Sequence, residues 1–402
     1  MSSFTVTGTT GNDTLSGTVV PLTGAVVDDS VDGKDGVDVF LLTGAIGSYS
    51  FGFDLTNGAI TVSGPDGVDS LQGVELVQAI DGVSRPLIGL LDIAEPVFSG
   101  TPAGVTSGDD YLLGTDAAEY LGGGMGSDSI AAGGGNDWAF GGPGDDILLG
   151  QAGEDHLEGH AGNDALFGGA GNDALNGDLI GQTGNDYLSG GDGSDWVNAG
   201  NGADVLLGGT GNDWLFGEYG PDHLSGGAGD DFLIGDFFAS RYFKPVVYPK
   251  DPPNGDVLLG GAGNDVLLGG MGTDVLEGDA GSDRFVFTDP SESSLTAPDI
   301  ILDFGGAAVA AASAKGAASA GTVGGDRDMI DLSEIDAITG TTENDAFTFI
   351  GAAAFTASGQ LRYSPVGAET YIEGNVGGTL AADFRISVKL ANYTFTQADF
   401  VL

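Results

Sequence analysis

Acidic residues recur at a fixed interval through the middle of the chain. Starting at Asp110, one stands at every ninth position: Glu119, Asp128, Asp137, Asp146, Asp155, Asp164 and Asp173. Four extra residues around Gly177 to Ile180 interrupt the count, which resumes at Asp186, Asp195, Asp204, Asp213, Asp222 and Asp231. Sixteen more, Gly235 to Lys250, interrupt it again before Asp256, Asp265, Asp274 and Asp283. The preceding position often offers a second oxygen, as at Asn136, Asp145, Asn163, Asn172, Asn185, Asn212, Asp230 and Asn264. With no Cys in the chain, a thiolate metal site and a disulfide are both excluded. The donors are all hard oxygens, a set that suits Ca2+ better than Mg2+ or Zn2+.

These aspartates belong to a repeating unit, G-G-x-G-x-D-x-U-x, with a large apolar residue at U; its positions are called slots one to nine below. Leu148, Leu157, Leu166, Leu175, Leu188, Leu206, Leu215 and Leu267 fill slot eight. A nine-residue period fits neither a helix nor a run of ordinary hairpins, but it fits a solenoid. The Gly-rich half turns the corner, where positive φ is needed. The other half makes a three-residue strand with its middle side chain inward. Two units close one coil of two parallel sheets, so turn i lies against turn i+2. One large buried side chain per nine ordered residues is a thin core, and lining up aspartates adds repulsion. Such a coil needs a cation between its turns. Asp is also a habitual maker of Asx-turns. That alternative applies best to the degenerate unit GTDAAEYLG, where Ala117 and Ala118 replace the usual Gly and Asn.

Residues Val105 to Val286 resemble the RTX, or haemolysin-type, calcium-binding repeat, with eighteen units in near-continuous register. The resemblance implies an all-β parallel β-roll that takes up several Ca2+ ions, on the order of ten from the i/i+2 pairs. It places the ligands on the slot-five and slot-six residues named above, Glu119 excepted. The blocks SDRFVFTDPSESSLTAPDIILDFGG, DRDMIDLSEIDA, AFTFIGAAAF and GQLRYS, from Ser282 to Ser364, resemble the C-terminal domain of serralysin-type secreted proteins and read as short antiparallel strands. The ending ADFVL resembles a type I secretion signal, which implies an ABC-type exporter as partner and an extracellular or cell-surface location. The N-terminus has neither a basic start nor a long apolar run, so no cleavable signal is expected there.

The organisation expected is therefore a β-rich domain with degenerate repeats over 1–98, the β-roll over 99–287 and a cap over 288–402. In the first, GTTGNDTLS (Gly8 to Ser16) is a good copy, and Asp13, Asp38 and Asp69 are possible ligands. Gly305 to Gly325 is expected to be a loop. A net charge of −48 disfavours nucleic acid, and no stretch approaches the length of a membrane span.

Catalytic motifs are sparse. HLEGH, His156 to His160, is the nearest approach to H-E-x-x-H; on a solenoid its two His should point in different directions as solvated side chains, with His223 alike. There is no G-x-S-x-G and no Lys-containing phosphate loop. The reading is a non-enzymatic, calcium-ordered secreted protein acting in a surface layer, matrix or adhesion; the alternative is an extracellular hydrolase of unrecognised type. A cell surface, a glycan or another copy of the chain are the open partners.

Slots seven and nine should face outward, alternating between the two sheets. That puts Trp138, Trp196 and Trp214 on one face with Phe140, Phe216, Phe232, Ile234, Val266 and Leu268. The aromatic insertion Gly235 to Lys250 is expected to fold over it. Ile147, Leu149, Phe167, Val205 and Leu207 belong to the other face.

Overall fold

The computed structural model describes residues 105–179, 181–236, 255–305, 327–339, 344–390 and 393–402, together with the backbone of nine short strands before residue 87. The chain divides into two compact units, Met1–Ser225 and Gly226–Leu402. Apart from one 3-10 turn, Gln397–Asp399, the described secondary structure is all strand.

In the first unit, successive nonapeptides feed two parallel sheets in alternation. One holds Tyr111–Leu113, Ser129–Gly134, Ile147–Ala152, Ala165–Ala170, Tyr187–Asp192 and Val205–Thr210 in that order. The other holds Tyr120–Gly122, Trp138–Pro143, His156–Ala161, Ala174–Asn176, Trp196–Asn201 and Trp214–Tyr219. Pairing joins like slots, Leu148 to Leu166 and Leu166 to Leu188. The second pair holds register although it spans the four-residue interruption. Slot eight forms the core: Ile130, Leu148, Leu157, Leu166, Leu175, Leu188, Val197, Leu206 and Leu215 are wholly buried. The array is thus the parallel β-roll that the period requires.

The strands before residue 87 have a coil-like order. Thr5–Thr7, Ser30–Asp32 and Gly67–Gln72 pair in parallel, as do Thr14–Leu15, Val39–Leu41 and Leu76–Gln78. Ser50–Asp54 and Ala59–Gly64 add an antiparallel meander. The side chains of Asp13, Asp38 and Asp69 lie outside the described residues.

In the second unit the roll continues through Val257–Ala262 and Val275–Ala280 in one sheet and Phe232–Asp236, Val266–Leu268 and Arg284–Val286 in the other. Here an expectation is corrected. Ile300–Ile301 and Met329–Asp331 are not antiparallel; they extend the roll in parallel, Val275 to Ile300 and Arg284 to Met329. Each is introduced by an aspartate that bonds to the turn before, as an array strand is. Thr348–Phe349 also pairs in parallel, with Gln360–Leu361. Among the described residues of this unit, antiparallel pairing is confined to Gln360–Val366, Glu369–Asn375 and Phe384–Val388. Phe285, Phe304, Phe395 and Phe400 fill this end of the core, and Phe400–Val401 closes the second sheet beside Ile330. The proposed loop after Gly305 lies outside the described residues.

Candidate functional site

The two oxygens of a slot-six aspartate have different fates. Oδ1 accepts the backbone N–H of the slot-six residue one coil earlier: Asp128 N–H to Asp146 at 2.6 Å, Asp137 to Asp155 and Asp146 to Asp164 at 2.8 Å. The ladder bridges the first interruption, Asp164 to Asp186 and Asp173 to Asp195, both at 2.8 Å. In the second unit Asp231 bonds to Asp265 across the longer one at 2.8 Å. Oδ2 is buried with no hydrogen-bond partner at Asp128, Asp137, Asp146, Asp155, Asp164, Asp173, Asp186, Asp195, Asp204, Asp265, Asp274 and Asp283. The remaining slot-six aspartates Asp110, Asp213, Asp222, Asp231 and Asp256 are buried alike.

A row of buried carboxylate oxygens without donors is costly unless a cation answers it. From Asp128 to Asp204 the sequence supplies none, since no Lys or Arg occurs between Arg85 and Arg241. Burial pushes these acids up: Asp164 to about 8, and Asp146, Asp173 and Asp265 to about 7. Neighbouring carboxylates raise them further, while the ladder amide pulls each the other way.

Slot one shows what surrounds Oδ2. A methyl group placed on Gly168 would lie 2.5 Å from Asp173 Oδ2 and 2.6 Å from the Gly190 carbonyl oxygen of the next turn. On Gly150 it would meet Asp155 Oδ2 and the Gly168 carbonyl, each at 2.5 Å. Carboxylate and turn carbonyl therefore face one small space that glycine leaves open. Among the described residues the ligand atoms of three acids converge within 4.8 Å only at Glu277, Asp279 and Asp303, none of them a slot-six residue. A cation at slot six would thus draw its other ligands from turn carbonyls. Such an oxygen set fits Ca2+, whose coordination is irregular and carbonyl-tolerant.

Slot five is placed differently. Asn136, Asp145, Asn163, Asn172, Asn185, Asn212, Asp230 and Asn264 lie exposed or half-buried at the rim. Several staple the turns: Asp145 Oδ1 accepts Asn163 N–H at 2.8 Å, Asn163 Oδ1 accepts Asn185 N–H at 2.8 Å, and Asp230 Oδ1 accepts Asn264 N–H at 2.8 Å. The structure thus gathers slot six in the interior and leaves slot five outside it.

Three buried acids absent from the sequence-based set join the arrangement. Asp299 and Asp328 continue the two ladders past the array, accepting Asp274 N–H at 2.9 Å and Asp283 N–H at 3.0 Å. Both precede an apolar dipeptide motif, Asp-Ile-Ile and Asp-Met-Ile, that copies slots six to eight outside the nine-residue count. Asp178, at the first interruption, is the third.

The histidines need correction. His156 and His160 do not diverge: Nε2 of His156 lies 2.6 Å and Nε2 of His160 3.4 Å from the two oxygens of Glu158. His160 has φ of 81°, which swings its slot-two side chain back over the outer face. His223 is half-buried as they are, but burial lowers it to about 4, and its Nδ1 has no partner.

The outer-face reading holds for the tryptophans. Trp138, Trp196 and Trp214 share one sheet and are 49%, 44% and 41% exposed. Trp196 stacks on Trp214 with centroids 5.8 Å apart, and Trp138 lies 4.2 Å from the His156 ring. Others depart from it: Phe216, Ile234 and Leu268, expected with the tryptophans, are buried, as are Leu149, Phe167 and Val205 of the other set, Phe167 lying 5.5 Å from Tyr187. Residues 237–250 of the insertion lie outside the described residues.

A parallel roll with a buried, donor-poor column of carboxylates is a calcium-type β-roll. The family model for the RTX calcium-binding nonapeptide repeat, in four copies, matches residues 5–18, 105–139, 122–157, 149–179, 176–206, 207–239 and 254–285. The array consists of RTX calcium-binding repeats, and one further copy falls at the N-terminus. Among solved structures, the chain is similar to the AlgE6R3 subunit of the mannuronan C5-epimerase from Azotobacter vinelandii. The identity is 20%, covering 48% of this chain and 78% of that one, with a TM-score of 0.22. No curated protein matches the chain. No helix among the described residues is long and apolar enough to cross a membrane.

Proposed function

We propose that this is a secreted, non-enzymatic protein whose roll folds when it meets extracellular calcium, and that it serves in a surface layer, matrix or adhesive contact. The observation that carries this is the column of buried Oδ2 atoms with no donor, which from Asp128 to Asp204 runs through a stretch of sequence without Lys or Arg. Without metal the column opposes folding; bound Ca2+ supplies the missing positive charge, and binding energy becomes folding energy. Extracellular calcium modules bind at about 10⁻⁴ to 10⁻³ M, so the chain would stay open inside a cell, as passage through an ABC-type exporter requires. Slot-six residues hold the ions, on the order of ten by the count of stacked turns. The C-terminal unit carries the serralysin-like cap and the type I signal in this reading.

Circular dichroism tests it. The chain should be largely unordered in chelator and gain a β spectrum with millimolar calcium; a full β spectrum in chelator would sink the proposal. Deleting residues from Asp299 onward should retain the protein in its producer, and undiminished export would refute the signal assignment.

A further inference from the structure

Both interruptions of the array begin with an aspartate at slot two, where uninterrupted turns have glycine or, as at Gln151, His160, Glu218 and Asp279, another residue of positive φ. Slot two is Asp178 at the first and Asp236 at the second. In a regular turn slot two has positive φ, 109° at Gly169 and 110° at Gly191. A Cβ built there first meets the slot-two carbonyl oxygen of the turn before. At the interruptions this geometry is exchanged. A Cβ on Gly200 would meet Asp178 Cβ at 2.6 Å, with the Asp178 carbonyl oxygen withdrawn to 3.2 Å. A Cβ on Gly270 would meet Asp236 Cβ at 2.6 Å, with that carbonyl at 3.0 Å. In each case the side chain has taken the carbonyl's place.

Asp178 stays in the roll while the chain beyond it leaves. Its amide donates to the Ala199 carbonyl at 2.8 Å, as the slot-two amide of Gly124 does to Gly141 at 3.0 Å. The side chain is 8% exposed, and neither carboxylate oxygen has a hydrogen-bond partner. The amides of Asn201 and Gly184 lie near enough to favour its charge without making a hydrogen bond to it. Its charge is felt by Asp164, Asp186 and Asp204, the slot-six residues of its own turn and the two that flank it. Beside it, a methyl on Gly177 would run into Asp186 Oδ2 and stand 2.6 Å from the Ala199 carbonyl oxygen. The orphaned carboxylate is therefore one residue from an oxygen-lined space of the kind slot one leaves open elsewhere.

We propose that Asp178 is an additional calcium ligand, a carboxylate supplied where a regular turn offers a backbone carbonyl, which carries the row of ions across the interruption. This rests on the calcium reading of the roll. A donor with full charge replaces a dipole, so the ion at this turn binds more tightly than its neighbours. Asp236 occupies the equivalent place in the second unit, where Met271 N–H donates to its Oδ2 at 3.2 Å.

The test counts calcium on the full-length chain by equilibrium dialysis, alongside circular dichroism at saturating calcium. Asp178→Asn preserves the side chain's size, and Asp178→Gly restores the residue that the repeat prefers. Both variants should fold at saturating calcium yet bind about one ion fewer, or bind one about tenfold more weakly. Equal ion number and affinity in wild type and both variants would overturn the assignment. So would a variant that only lowers thermal stability while keeping its ions, since that marks a packing role. Should Asp178→Asn fail to fold, the Asp178→Gly count decides by the same criterion. A wild-type chain that took up no calcium would sink the reading of the whole array instead, an outcome separable from equality among calcium-binding chains.

Discussion

Asp137 and Asp155 stand one coil apart, and the amide of the first donates to Oδ1 of the second over 2.8 Å while Oδ2 of the second stays buried without a donor. One carboxylate therefore serves two purposes: one oxygen sets the register of the coil, and the other waits for a cation.

Substitution separates the two. Asp155→Asn keeps an acceptor for Asp137 and turns the other oxygen into an amide nitrogen. It should raise the calcium concentration needed for half-folding while leaving the saturated fold intact. Asp155→Ala also strands the Asp137 amide, which costs a further 1–3 kcal/mol or so. Calcium titrations followed by far-ultraviolet circular dichroism should rank wild type, Asn and Ala in that order. Coincident midpoints would count against the dual role.

The acid-base behaviour has a definite sign. Burial raises Asp164 to about 8 and Asp146 and Asp173 to about 7, against 3.8 for an ordinary Asp. The metal-free roll then holds protons more tightly than the unfolded chain, so protonation stabilises it. That stabilisation is complete below the ordinary value and is lost as pH climbs through 7 to 8. Calcium-free protein should gain β structure on acidification from pH 8 to about 4. With calcium the dependence reverses, because the metal must displace those protons, and the folding midpoint should move to higher calcium as pH falls. A midpoint independent of pH would contradict it.

Glycine at slot one should be intolerant, and the slot-nine Gly122 indifferent. Gly168→Ala thrusts a methyl within 2.5 Å of Asp173 Oδ2. A loss of roughly 1–3 kcal/mol from overpacking is expected, with weaker calcium uptake. Gly122→Ala meets nothing within 4 Å and should leave both unchanged. Thermal melts at saturating calcium compare the two.

The tryptophan pair reports folding of its sheet. Trp196 and Trp214 stack with an interplanar angle of 14° yet remain 44% and 41% exposed. Calcium should bring an exciton couplet into the circular dichroism while acrylamide still quenches the emission. Trp214→Phe should abolish the couplet and leave the calcium midpoint in place. A couplet surviving in Trp214→Phe would assign it to other rings.

The roll was legible because one period carries three signals at once: Gly at the corner, Asp at slot six and an apolar residue at slot eight. Leu166, Asp164 and Gly162 each support the same register. Asp299 and Asp328 escaped because the ladder needs only an aspartate followed by an inward residue two places on, whatever length of chain intervenes. Asp178 escaped because its role depends on where the chain leaves the coil. The slot-five side chains were grouped with slot six on chemistry alone; slot five lies in the bend before the strand, and its side chain stays at the rim. His160 was misjudged because positive φ at a non-glycine reverses a side chain's heading.

Both interruptions follow a slot-two aspartate whose amide still bonds within the roll, Asp178 and Asp236, and a rung of the ladder spans each, Asp164 to Asp186 and Asp231 to Asp265. For a protein engineer this marks a socket. Every coil has the same doorway after slot two, where guest sequence can enter and leave while the scaffold keeps its spacing. Lengths of four and sixteen residues have already been accommodated there. Displayed peptides could therefore be mounted along one edge of the roll at intervals set by the strand separation, about 4.8 Å for successive coils of the same sheet.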